Sequence, residues 1–76
     1  MSRAQYVVVL HEDEWKVSFD GRHYGPYLTQ AAAIEAAIGS AHAVGSRGQE
    51  AEVLVQGANG LHIEWTYGQD PYPPHG

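Results

Sequence analysis

The segment Thr29–Val44, TQAAAIEAAIGSAHAV, is dense in alanine, the residue with the highest intrinsic helix propensity. Thr29 stands where an N-cap belongs: its hydroxyl can accept from an orphan backbone N–H of the first turn. Leu28 and Ala33 have the offsets of a weak hydrophobic staple. Ile34, Ala37, Ile38, Ala41 and Val44 recur at three- and four-residue spacing and form one apolar stripe. Glu35 and His42 fall on the opposite side. Gly39 weakens the segment by about 1 kcal/mol relative to alanine, and Gly45 and Gly48 supply the stop. The spacing therefore predicts one helix, the only one in the chain. Its small stripe residues favour close packing on a flat sheet.

Strand patterns lie on both sides of it. Gln5–Leu10, QYVVVL, is rich in β-branched and aromatic residues. Tyr6, Val8 and Leu10 share one face; Val7 and Val9 share the other. Two apolar faces mark a central strand. HEDE, residues 11–14, is a polar turn. Trp15–Asp20, WKVSFD, alternates with Trp15, Val17 and Phe19 inward. Asp20-Gly21 ends that strand with turn chemistry. RHYGPYL, broken by Gly25-Pro26, reads as a connection into the helix. After the helix, Gly45–Gln49 is a loop. Ala51–Gln56, AEVLVQ, alternates with Leu54 opposite Ala51, Val53 and Val55. Asn59-Gly60 is a hairpin signal. Leu61–Thr66, LHIEWT, follows, with Leu61, Ile63 and Trp65 read as inward and His62, Glu64 and Thr66 as outward.

The expectation is an α+β fold of order ββαββ, a four-stranded antiparallel sheet with one helix packed on one face. The strand order second-first-third-fourth puts the most apolar strand inside. Residues 1–68 form the compact domain. Residues 69–76 are a Pro/Gly-rich tail that should lack regular structure, with Tyr67 and Tyr72 placed to pin it to the body.

A chain of 76 residues is one domain, and at that size folding buries only about 60% of the unfolded surface. There are no cysteines, so disulfides and thiolate metal sites are excluded. The N-terminus lacks the apolar run and cleavage site of a secretory signal, and no stretch approaches transmembrane length. A soluble cytoplasmic protein is expected, with no membrane partner. The formal net charge of -5 opposes non-specific attraction to nucleic acid.

Several short motifs occur in a recognisable order. They are W-K-V at Trp15–Val17, Gly21, A-I-E-A-A at Ala33–Ala37 and E-V-L-V-Q-G at Glu52–Gly57. N-G at Asn59-Gly60 and T-Y-G-Q-D-P at Thr66–Pro71 complete the set. Together they resemble the small bacterial family known as domain of unknown function 2188 (DUF2188), over roughly Tyr6 to Pro73. Many members carry Lys or Arg after the capping threonine, where this chain has Gln30. The resemblance implies a compact single domain of bacteria and some phages. It implies no catalytic or ligand residues.

The residues themselves carry little chemistry. His11 with Glu12, Asp13 and Glu14 matches metal ligands by type, but adjacent turn residues rarely converge as zinc requires. His11 and His62 are expected on one sheet face, two strands apart. His42 and His75 are expected in solvent. Ser18, Ser40 and Ser46 lie in no nucleophile-elbow context, and GANG is a turn and not a phosphate loop. An enzyme is therefore not expected, and neither is a cofactor or metal. The outer sheet face is the candidate interaction surface: Val7, Val9 and Leu54 point away from the helix, and an exposed apolar patch signals a partner. That partner is a second copy of the chain or another protein, unless the tail covers the face. The alternative is a nucleic-acid platform in which Lys16, Arg22, Tyr24 and Tyr27 contact backbone and bases.

Overall fold

The computed structural model describes residues 3–74. His75, expected in the tail, lies outside the described residues. Strands β1 (Ala4–His11), β2 (Glu14–Phe19) and β3 (Arg22–Tyr27) precede helix α1 (Gln30–Gly45). Strands β4 (Ala51–Gly57) and β5 (Gly60–Thr66) follow it. All five strands form one sheet in the order β3-β2-β1-β4-β5. The helix packs against one face. No helix of the described residues is long and apolar enough to cross a membrane.

The expected α+β class and central first strand are present, but the sheet is mixed and has five strands. Arg22–Tyr27, read from sequence as a connection, is a strand. It pairs antiparallel to β2, with Phe19 opposite Arg22 and Val17 opposite Tyr24. Asp20 and Gly21 make the tight turn between them, both at positive φ (53° and 78°). This is the backbone that two-residue hairpins require. The added strand reverses the chain once more before the helix. As a result β4 runs parallel to β1, pairing Tyr6 with Val53 and Val8 with Val55. The antiparallel first-to-third pairing expected from sequence is thereby overturned. The β1–β2 and β4–β5 pairs remain antiparallel.

Thr29 caps the helix as its chemistry dictates: its Oγ1 accepts from Ala32 N–H at 3.0 Å. The buried helix residues are Ala33, Ala37, Ile38, Ala41 and Gly45. They join Tyr6, Val8, Val17, Ala51, Val53, Val55 and Trp65 in one core. Val8 and Val53 are completely buried, each contributing about 1.5–3 kcal/mol. Ile34 and Val44 of the expected stripe are only partly buried. The staple does not form, since Leu28 is 98% exposed.

Gly45 is needed for its missing side chain. A Cβ there would run into the ring of Tyr67. The helix continues to Gly45 and is capped by Ser46, whose N–H bonds to His42 O. Gly48, at φ +95°, donates to Gly45 O at 2.9 Å and turns the chain away.

The segment after β5 folds back on the helix side. Asp70 Oδ2 accepts from Thr66 N–H at 2.8 Å, and Trp65 Nε1 donates to Pro71 O at 2.9 Å. Tyr72 stacks on His42 with ring centroids 3.9 Å apart. His42 is therefore half-buried beneath the tail, contrary to its expected place in solvent.

Candidate functional site

The face of the sheet opposite the helix is assembled by the ladder registers. Residues paired across a ladder share a face. Val7 pairs with Ser18 on one side and with Leu54 on the other. Leu54 in turn pairs with Ile63. Ser18 pairs with His23 on β3. A row of side chains thus crosses the whole sheet as His23–Ser18–Val7–Leu54–Ile63. Next to it, Val9 pairs with Lys16, and Leu61 pairs with Gln56. The apolar centre of the face is therefore Val7, Val9, Leu54, Leu61 and Ile63.

Val7, Val9 and Leu54 are half-buried by their in-sheet neighbours. Leu61 and Ile63 stand 56% and 57% exposed. These two were expected in the core, and two local features overturn that. The β4–β5 turn is Ala58–Asn59, with Gly57 opposite Gly60, which sets Leu61 and Ile63 opposite Gln56 and Leu54. A bulge then inserts Glu64, and Trp65 returns to the helix side opposite Val53. Thr66, opposite Glu52, lies on the open side as expected.

The rim is polar and carries both signs of charge. Lys16 Nζ lies 3.6 Å from Glu14 Oε1. Glu52 is buried beside the open face. Its Oε2 accepts from Gln5 Nε2 at 2.6 Å, and its Oε1 lies 3.6 Å from Arg3 Nη1. The rings of His11 and His23 stack 5.4 Å apart. His62 does not share their face. It pairs with Val55 and sits 3.4 Å from Glu64 on the other side. Among the described residues no group of three or more His, Asp or Glu side chains could hold a metal ion.

The four residues of the nucleic-acid alternative do not converge. Lys16 is on the open face. Tyr24 and Tyr27 line a cleft on the helix side, and Arg22 is opposite Phe19 at the same edge. A base stacked on the tyrosines would lie across the sheet from Lys16.

No curated protein and no solved structure matches the chain. The family described as an uncharacterized protein conserved in bacteria matches residues 5–67, a span running from β1 to the residue after β5. The chain therefore belongs to the DUF2188 family.

Proposed function

We propose that this domain is a non-enzymatic interaction module that associates with a second copy of itself through the open sheet face. The observation carrying this reading is the apolar row Val7–Leu54–Ile63, extended by Val9 and Leu61, on a face that no helix of the described residues covers. The described part of the tail supports it, because Pro71 and Tyr72 lie against Trp65 and His42 on the other side. An apolar centre within a polar rim is the usual anatomy of an interface.

The charges favour a second copy over a strongly basic partner. Although the chain carries a net -5, the rim of this face mixes Lys16 and Arg3 with Glu14 and Glu52. Two such faces meet without the repulsion of a single-sign surface, and two-fold pairs are the commonest assembly. The area sets the strength. Strands about 4.8 Å apart and about 20 Å long give a five-stranded face of roughly 500 Å². A stable interface buries about 800 Å² per partner, so the pair should be weak and concentration-dependent.

Sedimentation velocity over a wide concentration range tests this. The unmodified chain should shift towards a dimer as concentration rises. Val9→Lys should abolish the shift while circular dichroism stays unchanged. A strict monomer, or a dimer indifferent to a charge at Val9, would overturn the reading.

A further inference from the structure

On the covered side of the sheet a cleft of about 340 Å³ opens between α1 and the β2–β3 edge. Aromatic side chains from three strands form its walls: Tyr6, Phe19, Tyr24 and Tyr27. The ladder register brings β3 into it. Tyr24 pairs with Val17, which is buried in the core, so the two share the helix side. Tyr6 and Phe19 stack in parallel, 4.2 Å between centroids and 9° between planes. The helix contributes small residues, among them Ala36 and Ser40, and so leaves the space open. The volume falls at the small end of ligand cavities, which span roughly 300–1,000 Å³.

The lining is hydroxylic and carries no charge. Among the described residues no Asp, Glu, Lys, Arg or His lines the cleft. Its polar side-chain groups are the hydroxyls of the three tyrosines and of Ser40. None of the four makes a hydrogen bond among the described residues. Tyr6 gives this its weight. The residue is only 6% exposed. Its hydroxyl is nevertheless not sealed off, since no fully buried polar side-chain atom is left unpaired. A nearly buried phenol thus keeps its one polar side-chain atom free beside the cleft it lines. Burial also raises its pKa above the ordinary 10.0, so the hydroxyl is a neutral donor at ordinary pH.

We propose that this cleft binds a small uncharged aromatic ring bearing a hydrogen-bonding substituent, a simple phenol being the type, with the ring among the tyrosines and the substituent on the Tyr6 hydroxyl. Flat aromatic walls select a flat ring, which can extend the Tyr6–Phe19 stack. The substituent follows from what closure does to Tyr6. A ligand filling the cleft removes its hydroxyl from water, and a buried polar group left without a partner is costly. A purely apolar ring therefore binds less well than one that supplies the partner. Charge is selected against, because the lining offers an ionised group no opposite charge. A cation needs free ring faces, and Tyr6 and Phe19 each turn one face to the other.

Amide chemical shifts of the full chain, followed during separate titrations with phenol, toluene, benzoate and tetramethylammonium, test the proposal. Phenol should give saturable shifts centred on Phe19, Tyr24 and Ser40. Toluene, of the same shape, should bind about fivefold more weakly, the net value of one neutral hydrogen bond. Benzoate and tetramethylammonium should bind more weakly than phenol. Tyr6→Phe should bring phenol down to the level of toluene and leave toluene unchanged. Ala36→Leu, which fills the cleft from the helix with a residue suited to helices, should abolish all binding while circular dichroism stays unchanged. Absence of saturable shifts at millimolar phenol would overturn the proposal. So would equal affinities for phenol and toluene, tighter binding of either ion, or shifts centred on Val7 and Leu54. The last result would place the ligand on the self-association face, on which the cleft does not depend.

Discussion

Trp65 and Ile63 stand two positions apart on β5 and have opposite surroundings. Trp65 is 2% exposed, pairs with Val53 beneath the helix, and gives its indole N–H to Pro71. Ile63 pairs with Leu54 on the open face and is 57% exposed. Both are large apolar residues, and strict alternation would set them on one side. The Glu64 bulge separates them. One face of this sheet therefore uses its apolar residues for folding. The other holds a smaller set that the described residues leave half-buried or exposed. The difference teaches that hydrophobicity alone does not assign a residue to the core of a thin domain; ladder register does.

The sharpest way to break this contrast is to truncate each residue in turn. Trp65→Ala should cost about 3–5 kcal/mol in urea denaturation, a large part of the stability of so small a domain. Ile63→Ala should cost less than about 1 kcal/mol, since little of the side chain is desolvated, while weakening self-association in sedimentation. Equal losses of stability from the two would mean that the open face is also part of the folding core. Gly45→Ala comes next, because the new methyl meets the Tyr67 ring. Overpacking of this kind costs about 1–3 kcal/mol, measurable as a lowered Tm.

A smaller effect separates the faces by pH. Tyr6 keeps its proton to higher pH in the folded chain than its ordinary value of 10.0 allows in the unfolded one. Its stabilising contribution is complete below that ordinary value and is lost as pH rises through the raised one. Tyr6→Phe should therefore flatten the alkaline fall in stability, read by denaturation at a series of pH values. The smallest effect belongs to Leu28→Ser. That leucine is 98% exposed, so the change should move stability by no more than about 0.5 kcal/mol.

Much of this architecture could be read from residue order. The alanine-rich helix, its Thr29 cap, the central QYVVVL strand and the outward Val7, Val9 and Leu54 follow from propensity and period-two alternation. The fifth strand was hidden by Gly25-Pro26, residues that usually end a strand. Yet Asp20-Gly21 is the dipeptide of a two-residue hairpin and pointed to a returning strand at Arg22. Without that strand the direction of everything after it reverses, and the β1–β4 pairing reads as antiparallel where it is parallel. Leu61 and Ile63 escaped for a different reason. Their face depends on a one-residue placement of the Gly57–Gly60 turn and on a bulge, neither of which changes the composition of the strand. The aromatic cleft was invisible because Tyr6 and Tyr24 meet only once β3 lies beside β2.

The parallel contact between β1 and β4 also constrains how the chain is made. β1 is synthesised before the other four strands, yet its inner neighbour is not complete until Gly57 has been made. Until then the nascent chain carries a β1–β2–β3 meander whose most apolar strand stands at an open edge, a template for pairing with other chains. The intervening segment must close a long loop before β4 can seal that edge, and non-local closure of this kind slows folding. Fragments ending within α1 should accordingly aggregate where the full chain stays dispersed, which makes β4 the strand on which productive folding waits.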